Sequence, residues 1–193
     1  MVLELAGAGD LHAVGPPLPW GAVSDVLRTL LAALAHAHAR GVIHRDLKPQ
    51  NVLLCSDEDE RPGLTLTDFG IALTEAGQPD EGGGTPLFMA PEQFQVPIVD
   101  AGPWTDLYAL GCLATWLATG SPPFRAERWS GYAEAHRGQL PPPLPASVDA
   151  PAGFSTWVAR LLEKDPAARF RRAADADCAL VELDRTRPPP PTD

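Results

Sequence analysis

The segment from Trp104 to Thr119 constrains the fold of this chain more than any other stretch. Leucines recur through it at helical spacings, and apart from Asp106 and a few hydroxyl-bearing residues it is apolar. A helix that is apolar on all sides is buried, so the segment predicts a hydrophobic helix in a protein core. Its apolar part, around 107–118, is too short to span a bilayer. A carboxylate at Asp106 is costly there unless it receives hydrogen bonds.

A second helix is predicted upstream, from about Ala22 to Arg40, with Gly41 ending it in a left-handed conformation. His36 and His38 are two positions apart and therefore point to different faces, which excludes joint metal binding and favours a packing role for His38. Apolar residues form the buried stripe at spacings of three and four: Val23, Val26, Leu27, Leu30, Leu31 and Leu34. Other predicted elements are a hairpin with strands 52–54 and 64–67, and two final helices at 154–163 and 173–183.

Polar motifs occur between and after these elements, in a fixed order. The motifs are His44-Arg45-Asp46-Leu47-Lys48-Pro49-Gln50-Asn51, then Asp68-Phe69-Gly70, then Gly84-Thr85-Pro86, and finally Ala90-Pro91-Glu92. In this order and at these gaps they resemble the C-terminal lobe of eukaryotic-like (Hanks-type) Ser/Thr protein kinases. The resemblance covers nearly the whole chain.

This resemblance implies a mainly α (α+β) fold, a helical bundle around the central hydrophobic helix with short β-hairpins at a catalytic cleft and no N-lobe. It divides the chain into the lobe, residues 1–187, and a disordered proline-rich tail, residues 188–193. Within the lobe, it places the hinge at 1–10, the catalytic loop at 44–51 and the activation segment at 68–92.

The resemblance also assigns chemistry to individual side chains. Asp46 would orient the hydroxyl of a protein Ser or Thr, and Lys48 would neutralise charge on the transferred phosphate. Asn51 and Asp68 carry oxygen ligands of the kind that Mg²⁺ prefers. Thr85 would hydrogen-bond to the catalytic Asp and Lys. The implied reaction is transfer of the γ-phosphoryl group of ATP to a protein hydroxyl.

The implied nucleotide contacts lie at the N-terminal end of the chain. There Leu3 matches the gatekeeper, Glu4 and Ala6 present backbone groups to adenine, and Asp10 faces the ribose. Leu53 is a further predicted cofactor-binding residue and matches a residue whose side chain stacks against the N-lobe.

A further set of residues matches structural supports of the family. The set comprises His44, Phe69 and Gly70 near the cleft, Asp106 beneath the catalytic loop, and the pair Glu92 and Arg169. Arg45 matches the arginine that binds a phosphorylated activation segment. Because that segment lacks a hydroxyl at the usual site, Asp80 and Glu81 are alternative negative partners for Arg45, and a solvated acidic loop is the other interpretation.

The resemblance omits the first half of a kinase domain. No glycine-rich loop and no Val-Ala-x-Lys strand precede Met1, so the chain is expected to be inactive alone. An N-lobe supplied upstream or in trans, or a misplaced start of the reading frame, would explain this. Without an N-lobe, Leu53 and Phe69 would line an apolar face open to water, which soluble monomers rarely keep. Two functions remain open, a Ser/Thr kinase and a non-catalytic binding or scaffold module derived from one.

Composition limits the partners and the compartment. The 193 residues carry a formal net charge of −10, and lysine occurs only at Lys48 and Lys164. A basic patch for nucleic acid or an anionic membrane is therefore not expected. The three cysteines lack metal-binding spacing and indicate reduced thiols in the cytoplasm. The Ala-, Pro-, Gly- and Arg-rich composition is typical of a bacterial, GC-rich genome.

Overall fold

The computed structural model describes residues 8–56, 59, 63–69, 86–95 and 101–187. Over these residues the chain is mostly helical, with one small antiparallel sheet. The helices are α1 (Leu11–Val14), α2 (Trp20–His38), α3 (Pro103–Thr119), α4 (Trp129–Gly138), α5 (Phe154–Leu161) and α6 (Ala173–Thr186), and the strands are β1 (Val52–Cys55) and β2 (Gly63–Leu66). Short 3₁₀ turns lie at Pro49–Asn51, Pro91–Phe94 and Pro166–Ala168. No helix within the described ranges is long and apolar enough to cross a membrane.

Helix α3 is the centre of the core, as its sequence predicts. Every residue from Thr105 to Ala118 is buried. Pro103 starts the helix at a position where its missing N–H has no partner to lose. Gly120 ends it at φ 78°, a conformation that glycine adopts without strain. Helices α2 and α5 pack against it.

The contact between α3 and α5 depends on a residue without a side chain. A Cβ added to Gly111 would lie 2.8 Å from the Cβ of Leu161, a separation too short for two carbon atoms. The two helices therefore approach closely only because position 111 is glycine.

Helix α2 is shifted relative to its prediction. It begins at Trp20, because Pro19 serves as the N-cap residue in an extended conformation, and it ends at His38. The predicted apolar stripe is buried except for Val26, which is half-buried. Gly41 has φ 73°, the left-handed conformation expected of it, three residues beyond the last helical residue.

The remaining elements agree with the sequence in part. The predicted hairpin is present, with Val52 opposite Leu66 and Cys55 opposite Gly63. Helix α5 ends two residues before its predicted end, and α6 continues to Thr186. Helices α1 and α4 were not predicted: α1 has only four residues, and α4 buries only Tyr132, Ala135 and His136 and so lacks a clear apolar period.

Candidate active site

Three of the predicted catalytic side chains meet in the loop between α2 and β1. The Nζ atom of Lys48 donates to Oδ2 of Asp46 over 2.7 Å. The amide nitrogen of Asn51 donates to the same oxygen over 3.0 Å and to the backbone carbonyl of Asp46 over 2.7 Å. Asn51 is buried, whereas the side chains of Asp46 and Lys48 are 38% and 36% exposed. The loop thus presents the Asp46 carboxylate to solvent, and hydrogen bonds from Lys48 and the buried Asn51 hold it in place.

The backbone just before Asp68 is bound to both ends of this loop. The carbonyl of Thr67 accepts a 2.7 Å hydrogen bond from Nε2 of His44, and the N–H of Thr67 donates over 2.9 Å to the carbonyl of Asn51. Asp68 follows at φ 57°, a conformation uncommon for residues other than glycine, and its side chain is exposed. These bonds bring the backbone of Asp68, the predicted metal-binding carboxylate, next to the loop that carries Asp46, Lys48 and Asn51.

His44 also fixes the backbone of Asp46. Since the Thr67 carbonyl accepts from Nε2, that nitrogen carries the proton, and Nδ1 accepts a 3.2 Å hydrogen bond from the N–H of Asp46. The imidazole ring packs against Phe69 with 4.6 Å between ring centroids. Both nitrogens of the fully buried His44 are therefore satisfied.

Asp106 supports the loop from the core. Its Oδ1 accepts the N–H of Arg45 over 2.8 Å, and its Oδ2 accepts the N–H of His44 over 2.9 Å. Arg45 has φ 66°, so these bonds hold a backbone conformation that a non-glycine residue rarely adopts. The carboxylate is fully buried, and the hydrogen bonds offset the free-energy penalty of removing it from water.

Two residues that sequence reasoning missed complete this support. Nε2 of His38 lies 2.7 Å from Oδ2 of Asp106, so His38 is a hydrogen-bond partner and not merely a packing residue. The side-chain amide of Gln93 donates over 2.7 Å to the carbonyl of Arg45. Because a buried carboxylate needs several hydrogen-bond donors, the sequence indicated that Asp106 has a further partner. The spacing of the residues did not identify that partner as His38.

Glu92 and Arg169 form a buried ion pair with two parallel hydrogen bonds of 2.9 and 3.0 Å. The hydroxyl of Thr105 donates a further 2.9 Å bond to Glu92. Arg169 also donates to the backbone carbonyls of Trp104, Glu163 and Lys164. Its side chain is 0% exposed, and the pair joins the turn at Pro91–Phe94 to the turn at Pro166–Ala168, which Arg169 follows.

The predicted nucleotide contacts lie partly within the described residues. Asp10 forms a β-bridge with Leu53, and its carboxylate accepts a 2.9 Å hydrogen bond from the N–H of Ala13 at the start of α1. Leu53 and Phe69 are half-buried. The other predicted residues lie outside the described ranges: Leu3, Glu4, Ala6, Gly70, Asp80, Glu81 and Thr85.

A second group of ionisable side chains lies next to Arg169, whose guanidinium is 4.8 Å from the centre of the Tyr108 ring. In this group Tyr108 and His136 are buried and Lys164 is half-buried. The hydroxyl of Tyr108 lies 3.1 Å from Nδ1 of His136 and accepts from Nζ of Lys164 over 3.3 Å. Burial lowers the pKa of His136 to about 4, and the positive charge of Lys164 adds to this shift. Burial also lowers the pKa of Lys164 to about 8 and raises the pKa values of Tyr108 and Cys112. His136 is therefore neutral at pH 7.

The geometry agrees with a comparison of the sequence with known families. The model of the protein kinase domain family matches residues 1–176. This chain belongs to the protein kinase family. The mostly helical fold with its two-stranded sheet is the protein-kinase fold.

Individual relatives place this kinase chain in the bacterial Ser/Thr branch. It is 40% identical to the serine/threonine-protein kinase Pkn1 of Myxococcus xanthus over 97% of its own length, and 36% identical to PknH of Mycobacterium tuberculosis over 93%. It spans 29% of the length of each of these relatives. A crystal structure of the PknI kinase domain of M. tuberculosis superposes with a TM-score of 0.69 at 29% identity, covering 93% of this chain and 63% of that one.

Proposed function

We propose that this chain is the C-terminal lobe of a Ser/Thr protein kinase that transfers the γ-phosphoryl group of ATP to Ser or Thr hydroxyls of proteins. The observation that carries the proposal is the convergence of Lys48 and Asn51 on one oxygen of Asp46, with Thr67 bonding the strand before Asp68 to the same loop. The lobe comprises residues 1–187, with 1–10 as hinge, 44–51 as catalytic loop and 68–92 as activation segment.

Each side chain of the loop has a role in phosphoryl transfer. The exposed Asp46 carboxylate accepts a hydrogen bond from the substrate hydroxyl and orients it toward the phosphorus. Lys48, already held against Asp46, supplies positive charge next to the transferred group. Thr85 contributes the hydroxyl that orders these two side chains around a Ser or Thr substrate.

The donor set near the loop fits Mg²⁺, because Asn51 and Asp68 offer one amide and one carboxylate oxygen. These residues would hold the ion, which neutralises charge on the phosphates when it is bound. Asp10 and Leu53 are joined by a β-bridge. We assign both to the nucleotide site, and from the sequence we assign Leu3, Glu4 and Ala6 to the same site. Glu92, Arg169 and Asp106 act on the reaction only by holding the loop and its neighbours in place.

We further propose that phosphoryl transfer requires more of the catalytic domain than these residues supply. The 193 residues contain neither G-x-G-x-x-G nor Val-Ala-x-Lys, and they span 63% of the solved PknI kinase domain. Those two motifs cover the phosphates and bind them through a lysine. We expect this chain to bind Mg-ATP weakly and to transfer phosphate at a useful rate only with an N-lobe, upstream or in trans.

Thermal unfolding with and without Mg-ATP tests the proposal. A ligand at ten times its Kd stabilises the folded state by about 1.4 kcal/mol, which is measurable as a rise in Tm. We expect this rise for the wild-type chain and for Asp25→Asn, an exposed carboxylate on α2, but not for Asp68→Asn or when EDTA replaces Mg²⁺.

An equal rise in Asp68→Asn would contradict the assignment of this residue. No rise in any sample at millimolar Mg-ATP would favour the alternative, a kinase-derived scaffold that binds proteins without catalysis.

A further inference from the structure

A groove of about 480 Å³ lies beside the catalytic loop. The turn at Pro49 and Gln50 forms one wall. Aromatic side chains form the others: Phe88, Trp116 of α3 and Tyr132 of α4. Elements far apart in sequence thus provide one apolar surface next to Lys48 and Asn51.

The charge of this groove differs from that of the whole chain. The chain has 25 acidic and 15 basic residues, yet the described lining includes Arg125 and no carboxylate. Arg125 is exposed, and among the described residues its side chain donates only one hydrogen bond, a long one of 3.4 Å to the hydroxyl of Ser121. No carboxylate in the described part of the chain forms a salt bridge with it. The guanidinium is therefore available to an incoming anion.

The imidazole of His12 adds a flat wall to the groove. It stacks on the indole of Trp116 with 6.1 Å between ring centroids and an interplanar angle of 12°. An apolar side chain that enters the groove meets these rings, whereas a negatively charged one meets Arg125. The lining thus suits an apolar residue and an acidic residue side by side.

The groove is close enough to Asp46 to contact the same polypeptide that presents the hydroxyl. Pro49 is three residues from Asp46, and consecutive Cα atoms are 3.8 Å apart, so the two Cα atoms lie within about 11 Å. An extended peptide advances about 3.3 Å per residue. A residue roughly three positions from the phosphorylated Ser or Thr therefore reaches the groove.

We propose that Arg125 is a specificity-determining residue that selects Asp or Glu near the phosphorylated residue, beside a large apolar side chain. This rests on the proposed function, because the peptide must present its hydroxyl to Asp46. The net charge of −10 repels acidic peptides, but at 0.15 M salt charges further away than about 8 Å are largely screened. Direct contact with Arg125 therefore decides the preference.

Peptide binding tests this without requiring catalysis. The probes are fluorescently labelled peptides that contain one Ser and one Leu. They are made in matched pairs that differ at one position, within four residues of the Ser, where one peptide has Glu and the other has Gln. Anisotropy titrations at 0.15 M salt compare wild type with Arg125→Gln and with Arg128→Gln, an exposed arginine outside the groove. We expect wild type and Arg128→Gln to bind the best Glu peptide about two- to fivefold tighter than its Gln partner, as for an exposed ion pair. In Arg125→Gln the ratio falls to about one.

The proposal would be overturned if the preference for the Glu peptide over the Gln peptide persisted in Arg125→Gln, or if it fell equally in Arg128→Gln. It would also be overturned if the wild type showed no such preference or bound no peptide. The Mg-ATP-dependent rise in Tm is measured on the same samples. If that rise depends on Asp68 while the Glu preference is missing, the groove assignment fails and the kinase assignment stands. If the rise is absent while the Glu preference depends on Arg125, the groove binds acidic peptides without the proposed catalysis.

Discussion

The chain contains two groups of polar side chains that differ in their contact with water. Asp46 and Lys48 are more than one third exposed, while Asp106 and Arg169 are completely buried. The exposed pair is held by the bond between Lys48 and Asp46 and by the bond from Asn51, and both side chains contact solvent. The buried residues have their hydrogen-bonding groups occupied by protein partners. Asp106 holds the backbone of His44 and Arg45 next to the exposed pair, and the exposed pair remains accessible to the chemistry proposed for it.

The largest effect is expected from breaking the buried ion pair. Arg169→Leu leaves the Glu92 carboxylate buried without its partner, so we expect the free energy of unfolding to fall by about 3–5 kcal/mol. Denaturant titration measures this change. The matched control is Arg185→Leu, since Arg185 pairs with Glu182 on the exposed surface of α6, and its effect should stay below about 1 kcal/mol.

The double variant Glu92→Leu/Arg169→Leu sharpens this test. It removes both charges and should be more stable than Arg169→Leu alone, because no unpaired carboxylate remains in the core. Equal losses in Arg169→Leu and Arg185→Leu would show that the buried pair does not support the fold.

An intermediate effect is expected from pH. An unfolded histidine has a pKa of about 6.5, whereas burial lowers the pKa of His136 to about 4. Between these values the unfolded chain binds a proton that the folded chain does not. Stability therefore falls as pH falls from about 6.5 to about 4, by up to about 1.4 kcal/mol per pH unit from this residue.

The variant His136→Phe isolates this contribution, because phenylalanine fits among Phe94, Phe124 and Tyr132. Its unfolding free energy should depend less on pH in this range than that of the wild type, whereas His36→Gln, on the exposed side of α2, should leave the dependence unchanged. An identical slope for wild type and His136→Phe would rule out a neutral, buried His136.

The smallest effect on stability is expected in the exposed group. Asp46→Asn keeps an oxygen acceptor for Lys48 and Asn51, so the unfolding free energy should change by less than about 1 kcal/mol. The rise in Tm with Mg-ATP should remain. Phosphoryl transfer by the catalytic domain with its N-lobe should fall by about 10²- to 10⁴-fold, the usual contribution of a general base. A large loss of stability would instead assign Asp46 to the structural group.

Local patterns in the sequence were sufficient to predict the principal helices and the hairpin and to identify the family. The all-apolar character of α3 predicted its burial, because such a surface has no stable position in water. Asp46, Lys48 and Asn51 lie within one short loop, so their proximity follows from chain connectivity. Helix α4 was missed, because its few buried residues do not produce a clear period.

Contacts between distant segments were decided only by the tertiary structure. His38 binds Asp106, 68 residues away in sequence, and Gln93 binds Arg45, 48 residues away. Neither pairing could be predicted from the spacing of residues along the chain. The left-handed backbone of Arg45 also depends on such contacts, because arginine rarely adopts that conformation by itself. The sequence by itself determined which groups we propose for the chemistry. Packing determined their orientation, since a hydrogen bond to a buried carboxylate forms only after the helices that carry both partners have come together.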